Sequence, residues 1–413
     1  MVTKEYLSLA ETAEMLGKNK ETLRRWDREG KLVAVREPMS NYRVYRRADV
    51  EKIFKGFMQE GSTSESNYVE ADNDYKVLEL FAGAGGLAVG LEKAGLKCVA
   101  LNEIDKFACQ TLRNNRPNWR VMEGDIKDFD FIEYNGKVDV VTGGFPCQAF
   151  SYAGKKLGLA DARGTLFYEF ARVVKEVNPP ICIGENVRGL LSHDNGKTLE
   201  GMISILDEIG YRVVPVEVLK AINFKVPQKR ERLILVGIRK DINLDYHYPA
   251  PYNKIYNLKD ALKKGELYDS DVPVSGGAKY PKRKAEILDL VPPKGYWRDL
   301  PLDLQKEYMG GSFFLGGGKT GIARRIGWDE PSLTLTCSPA QKQTERCHPD
   351  ETRPFTVREY ARIQTFPDDW EFAGSLAQQY KQIGNAVPVN LGTEVGYSII
   401  KFLNKYYSLS NPK

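Results

Sequence analysis

Residues 77–95 read VLELFAGAGGLAVGLEKAG, and this stretch decides the fold. Its apolar beginning predicts a β-strand, its glycines predict a sharp turn, and its second half has the periodicity of a helix. Glycine lets the backbone turn and approach a ligand closely. The spacing differs from the GxGxxG turn that binds a pyrophosphate, and the P-loop lysine is absent, which argues against a nucleoside triphosphate. The stretch predicts either a ligand-binding loop or a turn needed only for packing, formed by Phe81, Ala82, Gly83, Ala84, Gly85 and Gly86.

Two acidic residues follow the glycine turn along the chain. Glu103 and Ile104 end the next strand-like stretch, about 20 residues beyond the glycine turn, and Asp125 and Ile126 stand in a Gly-Asp-Ile turn. An acid at the first position can accept hydrogen bonds from ribose hydroxyls. An acid beside an apolar residue can hold the amino group and the face of an adenine. This order suits an adenosyl cofactor, although Asp125 also fits a turn cap.

Strand-like and helix-like stretches alternate from residue 75 to residue 240. Strands are expected at 75–81, 97–101, 138–142, 181–185, 212–219 and 233–238. Helices are expected at 87–94, 106–115, 166–176 and 198–209. Such alternation predicts an α/β fold with a doubly wound, mostly parallel sheet, whose ligands bind at the carboxyl ends of the strands.

The composition fits a globular protein of two or three domains, with 413 residues, 42% hydrophobic and 28% charged. The first residues are polar and do not form a signal peptide, and no apolar run is long enough to cross a membrane. None of the six cysteines forms a CxxC pair, so no zinc or redox motif is indicated and no bound metal is expected. Thiols of this kind favour a cytoplasmic protein. A net charge of +5 permits a polyanionic partner without requiring one.

Four reactive side chains are expected at the ends of strands. Cys147 lies in GGFPCQAFS (143–151), Glu185 follows an apolar strand, and Arg230 and Arg232 begin another. Guanidinium groups can clamp a carboxylate or a carbonyl oxygen and help to hold a thiol as the thiolate. The pattern predicts a nucleophilic cysteine supported by an acid. The alternatives are an inert core thiol and a strand-end acid that pairs with a neighbour.

This region resembles the DNA (cytosine-5)-methyltransferase family from residue 77 to residue 392, with a variable stretch inside. The motifs that carry the resemblance stand in family order: Phe81 to Gly85, Glu103, Asp125, Phe145-Pro146-Cys147-Gln148, Glu185-Asn186-Val187, Gln228 to Arg232, Arg353 to Glu359, and Gly384-Asn385-Ala386-Val387. The resemblance implies a Rossmann-like, S-adenosylmethionine-dependent enzyme that methylates C5 of cytosine in a short duplex DNA sequence. It also implies a role in a restriction–modification system, with a separately encoded endonuclease and no membrane partner.

The resemblance further implies a role for each reactive side chain. Cys147 adds to C6 of cytosine, Glu185 binds N3 and the exocyclic amine, and Arg232 binds the base carbonyl oxygen with Arg230 beside it. Addition of the thiolate makes C5 nucleophilic toward the methyl group of S-adenosylmethionine. The sequence does not identify the group that takes the C5 proton. Beyond the glycine turn, the residues implied at the cofactor are Glu103, Ile104, Asp125, Ile126, Pro146, Leu166, Asn385 and Ala386.

The target base has to swing out of the duplex to reach such a thiol. We expect the glycine-containing residues 148–164 to form a mobile lid over it. Its expected DNA contacts are Ser151, Lys155 and Arg163.

The irregular, basic stretch 262–355 is expected to be the target recognition domain. Thr334 and Leu335 match the Thr-Leu pair that the family places near the DNA. Further candidate contacts, for which a solvated basic surface is the alternative, are Lys319, Arg324, Arg325, Gln341, Lys342 and Gln343.

Residues 1–56 show a different pattern. Two short amphipathic segments, the first with a capping box of Ser8 and Glu11, precede an alternation of apolar and basic residues that is typical of a β-hairpin wing. The pattern resembles the winged helix-turn-helix domain of the MerR and excisionase type. The alternative is a small helical domain with a solvated basic face. The implied DNA contacts are Arg24, Arg25, Arg28 and Arg43.

The expected domains are a DNA-binding domain at 1–56, a flexible linker at 57–74, a catalytic domain at 75–261, the recognition domain at 262–355, and a C-terminal return to the catalytic domain at 356–413. Two other functions stay open: a DNA-binding transcriptional regulator and an RNA cytosine-5 methyltransferase. The intact thiol and glycine turn argue against a pure regulator. The recognition insert and the N-terminal domain argue against RNA.

Overall fold

The computed structural model describes residues 5–16, 20–28, 30, 32–37, 42–52, 66–146, 165–316 and 319–410. The N-terminal elements are β1 (Tyr6–Ser8), α1 (Leu9–Leu16), α2 (Lys20–Arg28), β2 (Val35–Arg36) and β3 (Arg43–Arg46). Their strands form an antiparallel sheet in the order β1-β3-β2, which confirms the predicted wing.

The start of α1 confirms the predicted capping box. The Ser8 backbone N–H donates to Glu11 Oε2 at 2.8 Å, and the Glu11 backbone N–H donates to Ser8 Oγ at 3.2 Å. Leu23, Trp26 and Tyr45 are buried in the core of this small unit. The N-terminal helices, the wing and the core that they share are therefore all formed by residues 5–52.

A larger sheet forms the centre of the rest of the described chain. Its eight strands are β4 (Lys76–Leu80), β5 (Lys97–Glu103), β6 (Arg120–Glu123), β7 (Val140–Gly143), β8 (Ile181–Val187), β9 (Tyr211–Val213), β10 (Glu217–Lys220) and β12 (Glu231–Arg239). The order is β10-β12-β8-β7-β4-β5-β6, and β9 also pairs with β12. Strands β8 to β6 are parallel, whereas β12 runs antiparallel to β8. The predicted doubly wound, mostly parallel sheet is confirmed.

Two strand predictions need correction. The stretch 212–219 is two strands, because Pro215 lies between β9 and β10 and has no backbone N–H for a ladder. Strand β6 was missed, since it has four residues and exposes Arg120 and Glu123 at its ends. Short polar strands carry too little periodicity to be found from sequence.

Helices cover both faces of this sheet, while those at 282–289 and 302–309 pack in a separate core. In chain order they are α3 (Gly86–Ala94), α4 (Lys106–Asn115), α5 (Leu166–Val177), α6 (Lys197–Glu208), α7 (Leu258–Leu262), α8 (Lys282–Asp289), α9 (Leu302–Met309), α10 (Val357–Ile363), α11 (Leu376–Asn385) and α12 (Val389–Ser410). Apolar residues of α3 and α12 share one core, and those of α5 and α6 share the other.

The C-terminal helix α12 lies directly against α3, the helix that follows the glycine turn. A Cβ on Gly86 would stand 2.3 Å from the carbonyl oxygen of Val387, and one on Gly90 would stand 2.5 Å from that of Val389. Only glycine permits this approach. The last part of the chain therefore closes onto the sheet beside the glycine turn.

Part of the chain after β12 has a core of its own. Ile287, Trp297, Met309, Ile322 and Cys347 belong to an apolar cluster separate from both faces of the sheet. The short strands β11 (Gln228–Lys229) and β13 (Ser332–Leu333) pair in parallel and join this region to the sheet. The region thus combines its own packing with a direct backbone link to the carboxyl edge of the sheet.

The segment 66–74 corrects the predicted flexible linker. Asn67 Nδ2 donates to the Ala250 carbonyl oxygen at 2.9 Å and to Glu394 Oε2 at 2.8 Å, and the Asp72 backbone N–H donates to Asn404 Oδ1 at 3.1 Å. Polar residues that resemble a linker are here hydrogen-bond partners of α12. The linker prediction is wrong for 66–74, and 57–65 lies outside the described residues.

The contact at Gly86 predicts a large cost for a single methyl group. We expect Gly86→Ala to lower the free energy of unfolding by about 3 kcal/mol, because the new Cβ meets a backbone carbonyl that cannot move alone. Urea denaturation followed by circular dichroism measures this. Gly311→Ala is the matched control, since a Cβ there has nothing within 4 Å. Equal stability of the two variants would contradict the proposed tight contact.

Candidate active site

Glu185 and Arg232 form a buried ion pair at the carboxyl edge of the sheet. Arg232 Nε lies 2.5 Å from Glu185 Oε1, and each residue is 9% exposed. The antiparallel pairing of β8 and β12 sets Ile234 opposite Glu185, so Arg232, two residues away, projects from the same face. Burial raises the pKa of the Glu185 carboxyl, while Arg232 and Arg230 oppose that rise. Such an acid can hold or share a proton with a ring nitrogen.

The chain that leads to Cys147 ends beside this acid. A Cβ on Gly144 would stand 3.1 Å from Glu185 Oε2, and Asn186 Nδ2 donates to the Phe145 carbonyl oxygen at 2.9 Å. Residues 143–146 are therefore fixed against β8. Cys147 itself lies outside the described residues, and its predicted role as the nucleophile stays a prediction.

Arg230 is buried, and the two terminal nitrogens of its guanidinium group donate to backbone carbonyls. Its Nη1 donates to Leu335 at 3.2 Å, and its Nη2 donates to Gly384 at 3.0 Å and to Asn385 at 3.4 Å. Burial is the main cause that lowers its pKa. The side chain thus ties together three distant parts of the chain, and its predicted place beside the base stays a prediction.

The glycine turn has the backbone that its sequence requires. Gly83 and Gly85 have positive φ angles of 55° and 83°, in the left-handed region that favours glycine. Phe81, with a φ of 56°, is one of the described non-glycine residues that also adopt this conformation. A Cβ on Gly83 would meet nothing within 4 Å, so the turn is open on that side. Ala82, Ala84 and Gly86 are buried beneath it. The open face of the turn can admit a ligand.

Glu103 lies next to this turn. Its carboxylate accepts the backbone N–H groups of Gly83 at 2.8 Å, Ile104 at 2.9 Å and Asp105 at 2.8 Å. The acid therefore fixes the glycine turn to the end of β5. A carboxylate has further lone pairs, so these bonds leave it able to accept from a hydroxyl.

The remaining predicted cofactor residues surround this turn unevenly. Ile104 is 68% exposed, which is unusual for isoleucine at a strand end, whereas Ile126 is buried. Asp125 caps a 3-10 turn by accepting the Lys127 backbone N–H at 3.1 Å, so the cap alternative is realised in the structure. Pro146 is exposed and Leu166 begins α5, half-buried.

The C-terminal motif reaches the same place. Ala386 is buried against Gly86, and Asn385 is exposed with its Oδ1 2.9 Å from Cys337 Sγ. A Cβ on Gly384 would stand 2.4 Å from the Thr336 carbonyl oxygen. The motif therefore touches the glycine turn on one side and the recognition region on the other.

The candidate DNA contacts of the recognition region divide into accessible and structural side chains. Thr334 Oγ1 donates to the Lys229 carbonyl oxygen at 2.6 Å, and Leu335 is buried. Arg325 is 4% exposed and donates to the backbone of Leu288 and Val291, so its prediction as a DNA contact is wrong. Arg324 and Lys319 bind within the region, while Gln341, Lys342 and Gln343 are exposed.

The N-terminal candidates divide in a similar way. Arg24 is exposed, and Arg43 donates to Asp27 Oδ2 at 3.0 Å, which holds its side chain against α2. The side chains of Arg25 and Arg28, and the residues Ser151, Lys155 and Arg163, lie outside the described parts.

Two buried glutamines were missed by the sequence analysis. Gln228 Oε1 accepts the Leu335 backbone N–H at 3.0 Å, and its Nε2 donates to Gln364 Oε1 at 2.8 Å. Gln364 Nε2 in turn donates to the Ile383 carbonyl oxygen at 2.8 Å. Gln228 belongs to the same sequence motif as Arg230 and stands two residues before it. Its place in that motif was the signal that could have identified it.

Comparison with known proteins decides the family. Residues 75–401 match the model of the C-5 cytosine-specific DNA methylases. The chain belongs to that family. Residues 7–63 match the model of MerR HTH family regulatory proteins. The chain is a DNA (cytosine-5)-methyltransferase, and membership of its family implies S-adenosylmethionine as the cofactor.

Individual relatives agree with this assignment. The chain is 64% identical to the type II methyltransferase M.Eco47II of Escherichia coli and 58% identical to M.PspPI of Psychrobacter, with 97% of each chain covered in both comparisons. The structure of DNMT2 from Spodoptera frugiperda is 17% identical, covers 79% of this chain and 99% of its own, and has a TM-score of 0.56, which shows the shared fold. No helix in the described ranges is long and apolar enough to span a membrane.

The bonds of Arg230 predict a structural cost for its loss. We expect Arg230→Lys to lower the free energy of unfolding by about 2–3 kcal/mol, because one ammonium cannot replace a fork that serves three carbonyls. Arg188→Lys is the control, because that side chain is 66% exposed and its pair with Glu231 is on the surface. Urea denaturation of both variants checks the difference, and an unchanged Arg230→Lys midpoint would contradict it.

Proposed function

We propose that this enzyme transfers a methyl group to C5 of a cytosine that has swung out of a specific short duplex sequence, through a covalent bond between Cys147 and C6. The buried Glu185–Arg232 pair carries the proposal, because it lies where residues 144–146 lead the chain to Cys147. A carboxyl and a guanidinium side by side match the N3 and carbonyl edge of cytosine.

The glycine turn and its neighbours fit an adenosyl ligand. An open turn at Gly83, a carboxylate at the end of β5 and an exposed Ile104 beside it offer a backbone cradle, an acceptor for ribose hydroxyls and an apolar surface for a base. We assign Glu103, Ile104, Asp125 and Ile126 to the nucleoside. The turn, with Pro146, Leu166, Asn385 and Ala386, is assigned to the rest of S-adenosylmethionine. When bound, this cofactor supplies an electrophilic methyl group on a sulfonium.

The protein's own groups act on the base. The Cys147 thiolate adds to C6, and the electron density displaced from the C5–C6 double bond makes C5 nucleophilic. Glu185 donates a hydrogen bond or a proton at N3 as charge develops there, and Arg232 donates to the carbonyl oxygen. After C5 has gained the methyl group, loss of its proton and breakage of the Cys147–C6 bond restore the aromatic ring.

The biological role follows from the chemistry of the relatives. Three similar proteins, from Escherichia coli, Psychrobacter and Staphylococcus aureus, are named type II methyltransferases. We propose that this chain modifies DNA in a restriction–modification system, where it protects the sites that a separately encoded endonuclease cleaves. Such a role places it with the DNA in the cytoplasm of the cell.

The recognition region and the N-terminal domain are proposed to bind DNA in different ways. Exposed Gln341, Lys342 and Gln343 support sequence contacts by the recognition region, near Thr334 at its base. The match of residues 7–63 to MerR-type regulators supports a second DNA site that controls transcription of the enzyme's own gene. The two sites need not act on the same DNA.

A mechanism-based trap tests the nucleophile. DNA that carries 5-fluorocytosine at the target should form a covalent adduct with the wild-type enzyme and cofactor, because fluorine at C5 cannot leave as a proton does. Cys147→Ser should form none. Cys337→Ser is the control, since Cys337 is another thiol and is exposed near the cofactor site. Denaturing electrophoresis reads the adduct, and an adduct with Cys147→Ser would refute the assignment.

Truncation separates the N-terminal domain from catalysis. We expect a chain that begins at Ser66 to keep methyl transfer, because it keeps the bonds of Asn67 to α12. A chain that begins at Asp74 should be about 2 kcal/mol less stable, since Glu394 then loses a buried partner. Thermal unfolding and methyl incorporation measure both. A folded chain from Ser66 without activity would show that the N-terminal domain engages the substrate.

A further inference from the structure

Glu79 is a buried acid near the carboxyl end of β4 that has no role in the proposed mechanism. The residue is 2% exposed, and its Oε2 has no hydrogen-bond partner among the described residues. The backbone N–H of Ala88, on α3, is the neighbouring group that lowers the pKa of this carboxyl. An unpaired buried polar atom is costly, so its persistence calls for an explanation.

A second unpaired polar atom lies beside it. Thr142 is fully buried, and its Oγ1 also has no partner in the described part of the chain. Strands β4 and β7 are parallel neighbours that pair Glu79 with Thr142. Paired residues of neighbouring strands project from the same face, and such strands lie about 4.8 Å apart. The two orphaned groups therefore lie on neighbouring strands, on the same face of the sheet beneath α3.

The charges around Glu79 are negative. The acids that act on it are Glu103, from the end of β5, and Glu185, from β8, and the buried Cys98 thiol lies on β5. The charged groups of the helices on this face are bound elsewhere: Glu92 to Arg116, Lys93 to Asn390, and Glu394 to Asn67. The described residues place no cation within salt-bridge distance of Glu79. Burial, followed by the two acids, raises the pKa of Glu79 to about 8.

We propose that Glu79 works as a neutral carboxylic acid and is a positioning residue for the glycine turn. Its proton is donated through one bridging water molecule to the Thr142 hydroxyl, while the other oxygen accepts the Ala88 N–H. These bonds join β4, β7 and α3 directly below residues 81–86, and so fix the turn that we assign to the cofactor. The inference deepens the proposed function and rests on that assignment.

Titration of such a group has a defined sign. Its pKa in the folded protein is raised from 4.5 to about 8, so the stability that it contributes is complete below about 4.5 and is lost as pH rises through about 8. A glutamine mimics the neutral acid and cannot ionise. The melting temperature of Glu79→Gln should therefore rise relative to that of the wild type as pH increases across this window. This readout requires neither cofactor nor DNA.

The experiment compares the wild type, Glu79→Gln, Glu79→Leu and the control Glu133→Gln, whose carboxylate is half-exposed and pairs with Arg120. At neutral pH, infrared difference spectra should show a protonated carboxyl band that disappears in Glu79→Gln and stays in Glu133→Gln. Calorimetric titration with S-adenosylmethionine should show affinity within about threefold of wild type for Glu79→Gln and at least about tenfold weaker for Glu79→Leu. Thr142→Val should weaken S-adenosylmethionine binding when it is introduced into the wild type, but should weaken it little further when it is combined with Glu79→Leu.

The outcomes separate this inference from the proposed function. Equal loss of affinity in Glu79→Gln and Glu79→Leu would overturn the inference, because the site would then need the ionised carboxylate. Absence of the protonated band, or a melting difference that does not change with pH, would overturn it as well. If the wild-type enzyme failed to bind S-adenosylmethionine at all, the cofactor assignment would fail. The spectra and the melting difference would still decide the protonation of Glu79.

Discussion

The close approach of the C-terminal motif to the glycine turn is the contact on which the rest of the site depends. Gly86 has no side chain, so the Val387 carbonyl lies against α3 and the motif at Gly384–Ala386 is brought to the turn. The same motif accepts two hydrogen bonds from Arg230 and touches Thr336 of the recognition region. This C-terminal motif therefore links the glycine turn, the sheet edge and the recognition region.

Sequence reasoning identified the elements well and their long-range partners poorly. The glycine turn, α3 and β8 were predicted within a few residues because their apolar periodicity and glycines are local signals. The places of Glu185 and Arg232 at strand ends were also predicted, but the ion pair between them was not. By contrast, Arg325 was predicted to be an exposed DNA contact, whereas it is buried and donates to backbone carbonyls within the recognition region. Nothing in the spacing of a basic residue tells whether backbone carbonyls from distant segments surround it, and that decides between a DNA contact and a structural arginine.

The segment 66–74 shows the same limit for domain boundaries. Its composition is that of a linker, yet Asn67 and Tyr68 lie on α12, where Asn67 satisfies the buried Glu394 and Tyr68 packs edge-on against Tyr397. Ordering a polar segment costs little free energy when a long helix already holds its hydrogen-bond partners in place. Residues 66–74 therefore belong to the catalytic unit and not to a linker.

Three acids at one edge of the sheet are treated in three ways, and this difference organises the chemistry. Glu103 accepts three backbone N–H groups and so holds a fixed acceptor at the glycine turn. Glu185 is paired with a guanidinium, but burial outweighs that pairing and raises the pKa of its carboxyl. Glu79 has no guanidinium beside it and only the Ala88 backbone N–H to oppose burial and the other two acids, so the neutral form is the one that the fold can bury. If all three were ionised, their repulsion would act within the strands that position the turn. Neutrality at Glu79 thus removes one of three negative charges from the strands that position the turn.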